Sequence, residues 1–99
     1  MRLLLAAEAR QEFEAAVRFY NRQLPVLGTG LREEVRTALR RILLWPLAFP
    51  VERGDIRRLT LSRFPYKLLY AIETDHIYLI AVAHHHRMPD YWIDRSGLP

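Results

Sequence analysis

The residues with the clearest capacity for chemistry lie towards the end of the chain, in the segment IYLIAVAHHHRMPDYW, residues 77–92. An apolar run typical of a central β-strand stops there and is followed by His84 to His86, Arg87 and Tyr91. Imidazole titrates near neutral pH, a phenol can donate a proton, and a guanidinium is a permanent cation. A strand ending at the rim of a sheet would present these groups together, where they could act on a phosphate or hold an anionic partner.

Histidines at this spacing also raise the question of a metal site. His84 and His86 could share one face, but a pair at a strand end lacks the third protein ligand that catalytic zinc normally has. His76 lies at the opposite end of the same predicted strand, and the chain contains no cysteine. We therefore expect neither a metal ion nor another cofactor.

Length and composition favour one intracellular domain. A chain of 99 residues that is 51% hydrophobic can bury a single core, so we predict one domain over residues 1–99. The absence of cysteine fits a reducing compartment. The opening MRLLLAA is too short for a signal peptide, and no segment has the length of a membrane span. These features predict a soluble, cytoplasmic protein.

The net charge of +4 comes almost entirely from arginine, because Lys67 is the only lysine. The planar arginine fork suits phosphate and carboxylate groups, so this composition points towards nucleic acid or an acidic protein partner. A GC-rich genome, which favours arginine codons, would explain the shortage of lysine equally well. The placement of the cations therefore carries more information than their number.

Two amphipathic helices are predicted in the first half of the chain. From Ala7 to Gln23 the apolar residues recur at steps of three and four, which is the helical period. A second apolar stripe with the same period runs from Thr29 or Gly30 to Leu44. The break between the helices is marked by Pro25, Gly28 and Gly30. A short break of this kind predicts an antiparallel helical hairpin.

The second half of the chain has the pattern of strands. Alternation or apolar runs predict strands at Ile56–Ser62, Tyr66–Glu73 and His76–Ala83, and Leu3–Leu5 could form a short edge strand before the first helix. The resulting order is β-α-α-β-β-β. We therefore predict an α+β fold in which the helical hairpin packs on one face of an antiparallel β-meander.

Two cations are predicted to face each other across the first hairpin of this meander. Alternation places Arg58 on the face opposite to Leu59 and Leu61, and Lys67 begins the next strand. Like charges across a hairpin repel each other unless an anion lies between them. Arg58 and Lys67 therefore hint at an anion site, although a solvated sheet face would look the same.

The helical hairpin followed by RRLTLSRFPYKLLYAIETDHIYLIAVAHHHRMPDYW, residues 57–92, resembles the RelE/ParE superfamily, the toxins of bacterial type II toxin–antitoxin modules. The early EARQEFEAAVRFY pattern and the break at Leu27 and Gly28 extend the similarity over nearly the whole chain. The resemblance implies the same β-α-α-β-β-β fold. It also implies a growth inhibitor that a cognate antitoxin neutralises, with operator DNA contacted only through the antitoxin and with no role for a membrane.

One branch of this superfamily, RelE, cuts mRNA in the ribosomal A site. Aligned without gaps from the PYKLLY strand outward, the chain places Arg58, Thr60, Lys67, His85 and Tyr91 at the working positions of that branch. Thr60 replaces a basic residue of the RelE pattern, and His85 replaces an arginine.

As an endoribonuclease, the protein would let the substrate 2′-OH attack the adjacent phosphorus. The resemblance would then make His85 or His86 the base and Tyr91 the acid or a stacking platform. The developing phosphorane charge would be stabilised by Arg58, Lys67 and Arg87.

The ParE branch implies a different activity, because it inhibits DNA gyrase and performs no chemistry. Its ending is often strand–His–x–x–Arg, which the segment from His84 to Arg87 also matches. A third reading is a family member that binds an antitoxin or nucleic acid but is not toxic, and the absence of a cation at Thr60 is consistent with it. The sequence leaves the target open between ribosome-bound mRNA and gyrase.

Overall fold

The computed structural model describes residues 1–95; residues 96–99 of the predicted domain lie outside this range. The strands and helices are β1 (Arg2–Leu5), α1 (Ala7–Gln23), α2 (Pro25–Leu44), β2 (Val51–Arg53), β3 (Ile56–Thr60), β4 (Tyr66–Ile72) and β5 (His76–His84). Short 3₁₀ turns occur at Pro46–Ala48 and Ile93–Arg95.

The five strands form one mixed sheet in the order β1-β5-β4-β3-β2. Strands β2 to β5 make an antiparallel meander, and β1 pairs in parallel with β5 from Arg2 opposite His76 to Leu5 opposite Leu79. The predicted α+β fold, with an N-terminal edge strand, a helical hairpin and a meander, is thus confirmed. The parallel pairing of β1 makes the sheet mixed, whereas the meander itself is antiparallel as expected.

Helix α1 has the predicted bounds, whereas α2 begins at Pro25, several residues before the predicted start. Leu24 is extended, with φ −164°, and separates the two helices by a single residue. Proline suits the first position of a helix because its missing N–H would have no partner there. Gly28 lies inside α2 at a close approach, since a β-carbon built there would lie 1.8 Å from Asn21 Oδ1. Neither α1 nor α2 combines the length and apolar character needed to cross a bilayer.

Strand β2 was not predicted. It has three residues, its register with β3 shifts between Val51 and Arg53, and within residues 1–95 its only strand partner is β3. The flanking Pro50 and Gly54 favour a loop, and three residues are too few to show alternation. Gly54, with φ 55°, makes the turn into β3.

A bulge in β5 places two consecutive apolar residues of that strand on the same face. Leu69 of β4 lies opposite Ala81 and Tyr70 lies opposite Leu79, so Ile80 is an extra residue in the ladder. Before the bulge, Leu79 faces the helices, and after it Val82 does. The face of the sheet opposite to the helices receives Ile80 and Ala81, which are both fully buried.

This opposite face is covered by the residues that follow β5. Trp92, only 3% exposed, packs there with Ile56, Leu69 and Ile80. The helical face holds the larger cluster, which includes Val17, Leu31, Ile42, Leu68 and Tyr70. The sheet therefore has two apolar layers, and the second one is covered by the buried Trp92 with the partly buried Tyr91 beside it.

Replacing Trp92 with alanine should lower the free energy of unfolding by about 3–5 kcal/mol, because a large buried side chain leaves a cavity. Urea unfolding followed by circular dichroism measures this change. The other tryptophan, Trp45, is 58% exposed, so Trp45→Ala should change the free energy by no more than about 0.5 kcal/mol. Equal effects of the two substitutions would contradict the second apolar layer.

Candidate functional site

The residues after β5, which we call the C-terminal segment (residues 85–95), fold back against the sheet. The segment starts in a tight turn: the backbone N–H of His85 donates to the Pro65 carbonyl at 2.9 Å, and that of Arg87 donates to the His84 carbonyl at 3.1 Å. Asp90 adopts φ 62°, a left-handed conformation that aspartate tolerates better than most residues. The turn and this kink aim Tyr91 and Trp92 at the sheet.

Glu12 of α1 anchors the segment. The Tyr91 hydroxyl donates to Glu12 Oε2 at 2.7 Å, and the backbone N–H of Val82 donates to Oε1 at 3.0 Å. Arg95 Nη1 lies 2.8 Å from Oε1 as an ion pair, although without the alignment of a hydrogen bond. The pairing of β1 with β5 stops at Leu5, opposite Leu79. Beyond that point the Glu12 carboxylate, rather than a carbonyl of β1, accepts the hydrogen bond from the backbone of β5 at Val82.

Tyr91 is held as a neutral phenol. Burial raises its pKa, and the hydrogen bond to Glu12 raises the pKa further, because the anionic phenolate would lose that bond and meet the carboxylate charge. The guanidinium carbons of Arg87 and Arg95 lie 3.9 and 4.8 Å from the ring centroid, which is a cation–π arrangement. The Tyr91 proton is therefore already engaged inside the molecule.

A cleft of about 230 Å³ opens between the C-terminal segment and the ends of β2, β4 and β5. We call it the polar cleft; its polar lining consists of Glu52, Lys67, His84, His85, Arg87, Asp90 and Tyr91. Four of the six predicted site residues, Lys67, His85, Arg87 and Tyr91, thus lie around one cavity. Arg58 contacts the cleft only through Glu52, and the exposed His86 lies outside the lining.

The anion between Arg58 and Lys67 is a residue of the protein itself. Glu52 Oε2 accepts a hydrogen bond from Lys67 Nζ at 2.6 Å, and Glu52 Oε1 lies 3.4 Å from Arg58 Nη1. The neighbouring residue of β2, Arg53, pairs with Asp90 of the C-terminal segment. The prediction that the two cations face each other directly is wrong, because Arg58 lies opposite Leu69 and Lys67 lies opposite Thr60. They are diagonal neighbours on one face, and Glu52, from a strand that the sequence did not reveal, bridges them.

His84 is tied into the turn as an acceptor. The backbone N–H of His86 donates to His84 Nδ1 at 3.0 Å, which requires that this nitrogen carry no proton. Burial is the main cause that lowers the pKa of His84, and the neighbouring His86 and His85 lower it further. The ring also packs edge-to-face against Tyr66, with 5.1 Å between the centroids.

Sequence reasoning missed two carboxylates that organise this region, Glu12 and Glu52, and did not identify Arg53 as the partner of Asp90. Glu12 looks like an ordinary polar residue of a helix, and its contact with Tyr91 spans 79 positions. Thr60, which replaces a cation of the RelE pattern, lies opposite Lys67 and is exposed. Within residues 1–95 no three histidine, aspartate or glutamate side chains converge as a metal site would need.

Tyr91→Phe should lower the free energy of unfolding by about 1.5–3 kcal/mol, because Glu12 would lose a hydrogen bond to a charged group. Tyr78→Phe is the matched control, since the Tyr78 hydroxyl makes no hydrogen bond within the described part of the chain. Chemical denaturation of both variants measures the difference. Equal losses would show that the Tyr91 hydroxyl does not anchor the segment.

Stability should fall as the pH drops below about 6.5, the usual pKa of histidine. The folded protein holds the pKa of His84 below that value, so the unfolded chain binds the extra proton first and unfolding is favoured. His84→Asn, whose side-chain oxygen can replace Nδ1 as an acceptor, should flatten the melting temperature between about pH 7 and 5.5. His86→Asn keeps His84 and its burial, the main cause of the lowered pKa, and should retain most of the slope; a slope unchanged in His84→Asn would rule out this residue as its source.

Comparison with known proteins finds similarity at the level of structure. No protein-family model matches the chain, and no curated protein matches it in sequence. A solved structure described as "Chromosomal ParDE TA system from P. aeruginosa" contains a chain that superimposes with a TM-score of 0.72 at 17% identity, covering 85% of this chain and 95% of that one. This protein thus has the fold of a chain from a ParDE toxin–antitoxin system, as the resemblance to the RelE/ParE superfamily implied.

Proposed function

We propose that the protein is the toxin of a type II toxin–antitoxin module and that it inhibits growth by binding a protein target. Two observations support the toxin assignment: the sequence resemblance to the RelE/ParE superfamily and the fold shared with a chain of a ParDE system. Within that superfamily the non-enzymatic branch is the gyrase-inhibiting one, so DNA gyrase is the proposed target.

The observation that favours binding over catalysis is the internal pairing of the groups that RNA cleavage would need. Cleavage requires a cation for the phosphorane charge and an acid for the leaving oxygen. Arg58 and Lys67 are both paired with Glu52, and the Tyr91 hydroxyl donates a hydrogen bond to Glu12. Among the predicted charge stabilisers, only Arg87 has no carboxylate partner within residues 1–95. A substrate phosphate would have to displace a carboxylate that is already in contact with both cations.

A binding function needs only a surface that is held in shape. The C-terminal segment supplies one, since Glu12 and Trp92 anchor it while His85, Arg87 and Met88 remain exposed, Met88 by 77%. A segment ordered before binding loses less conformational freedom when a partner docks. We assign the target-binding surface to these exposed residues.

The proposed antitoxin has a complementary place to bind between the helices. A groove of about 270 Å³ has Phe13, Val35 and Leu39 among its apolar lining, with Arg10 and Arg36 at its edge. Neither arginine pairs with a carboxylate of residues 1–95. An amphipathic segment with acidic residues on one side would fill this groove and meet its cations.

A ribosome-dependent mRNA endonuclease is the second candidate, and one observation favours it. The polar cleft gathers Lys67, His85 and Arg87 around one cavity, which are a cation, an imidazole and a second cation. In this reading His85 would be the general base, and the cleft would open when RNA displaced Glu52.

Brief induction without antitoxin distinguishes the two candidates. We expect growth to stop with global mRNA intact and with plasmid supercoiling altered. His85→Ala should weaken toxicity without abolishing it, because His85 is one of several contacts on the binding surface and no proton transfer is involved. A double substitution of Arg87 and Met88 with alanine should abolish toxicity while the protein stays folded. Northern blots, chloroquine gels and circular dichroism provide the three measurements.

The alternative outcomes are equally clear. Rapid fragmentation of mRNA that His85→Ala abolishes would replace the binding mechanism with the endonuclease. Normal growth during verified expression of the folded protein would overturn the toxin assignment and leave a non-toxic binding protein.

A further inference from the structure

We infer that the polar cleft contains a binding site for a phosphate-class oxyanion and that Glu52 keeps this site closed as an internal ligand. The inference concerns ligand binding by the purified protein and does not depend on the proposed toxicity. Its support comes from the contacts of Glu52, the charges around the cleft and the attachment of β2.

Glu52 occupies the position that an external oxyanion would take. Its two carboxylate oxygens contact different cations, Lys67 Nζ at 2.6 Å and Arg58 Nη1 at 3.4 Å. A phosphate group carries more oxygens in a similar arrangement and forms the same charge-assisted hydrogen bonds. The Glu52 side chain is only 18% exposed, less than that of Arg58 or Lys67, so it covers the cations rather than extending into solvent.

The charges around the cleft favour an anion once Glu52 leaves. Asp90 already pairs with Arg53, so removal of Glu52 would leave Arg58 and Lys67 without a carboxylate. Arg87 also lines the cleft and contacts no carboxylate of the described chain within 4.0 Å. The cavity of about 230 Å³ is several times the volume of about 30 Å³ that a water molecule occupies in the liquid. Lys67 and Arg87 would then face a space large enough for a phosphate group, and Arg58 would border the part of it that Glu52 vacates.

Glu52 lies on a short edge strand that contributes nothing to the apolar core. Within residues 1–95, β2 pairs with β3 alone, is three residues long and has an irregular register between Val51 and Arg53. Its side-chain attachments are exposed or partly exposed: the Arg53–Asp90 ion pair and the hydrogen bond from Arg58 Nη1 to the Val51 carbonyl at 2.8 Å. None of its residues belongs to either apolar cluster. Short edge elements with few buried contacts open at low free-energy cost. A small outward displacement of β2 would withdraw the carboxylate and open the site.

The test compares two variants that each lose one negative charge. Glu52→Gln opens the proposed site, whereas Glu14→Gln removes an equal charge from the Glu14–Arg32 ion pair on the helices. Isothermal titration with pyrophosphate measures binding to both variants and to the wild-type protein. We expect Glu52→Gln to bind at least about tenfold tighter than the other two, because only there do two cations lose their partner. Adding Lys67→Met to Glu52→Gln should return the affinity to the wild-type level.

Further measurements locate the ligand and guard against misfolding. Fluorescence anisotropy with a single-stranded RNA shows whether a nucleic-acid phosphate or only a free oxyanion enters the site; both are phosphate-class ligands. Glu52→Gln should melt at a lower temperature than wild type, because Arg58 and Lys67 then repel each other, and pyrophosphate should restore it. If that variant does not fold, Glu52→Asp withdraws the carboxylate by one methylene and should bind pyrophosphate more tightly than wild type.

Three results would overturn the inference. Equal affinity of Glu52→Gln and Glu14→Gln would show only a general effect of net charge. Unchanged affinity after the addition of Lys67→Met would place the ligand elsewhere. Failure of both Glu52 variants to bind more tightly than wild type would show that Glu52 closes no site. None of these results depends on growth inhibition, so they remain separate from the outcome for the proposed function.

Discussion

The carboxylate of Glu12 is the contact on which the rest of this region depends. It accepts from the Val82 backbone, where β1 no longer accompanies β5, and from the Tyr91 hydroxyl of the C-terminal segment. One side chain thereby joins the first helix, an interior strand and the segment that covers the second face of the sheet. Without this carboxylate the C-terminal segment would not be held against the sheet, so Trp92 would not be positioned over the apolar residues that it covers. The polar cleft would also lose the side that this segment forms.

Several cations of the sheet are paired with carboxylates of the protein itself. Near the predicted chemistry, Arg53 pairs with Asp90, and Arg58 and Lys67 share Glu52, whereas Arg87 pairs with no carboxylate of residues 1–95. On the helices, Arg10 and Arg36 have no such partner in the described chain either. Unpaired positive charge therefore remains at the helical groove and at Arg87 of the C-terminal segment.

The sequence sufficed for features that depend on local periodicity and failed for those that depend on distant pairing. Helix α1 and the meander follow from apolar patterns that each segment carries by itself. Strand β2 is too short to show a period. Proline and glycine usually mark a break between helices, and the sequence does not show that Pro25 begins α2 and that Gly28 allows the two helices to pack closely. The roles of Glu12 and Glu52 could not be read from the chain, since a carboxylate on a helix or in a loop looks the same whether it faces water or a buried phenol.

The extra residue at Ile80 affects how positions can be transferred from one protein to another. A gapless alignment through β5 assumes that every strand in the comparison alternates without interruption. The bulge reverses the alternation between Leu79 and Val82, so all later residues are displaced by one position relative to a regular strand. In a homologue without the bulge, the residue that the alignment matches to His84 would instead occupy the place in the structure where this chain has His85. Equivalence at this end of the sheet therefore has to be judged from superimposed backbones rather than from aligned letters.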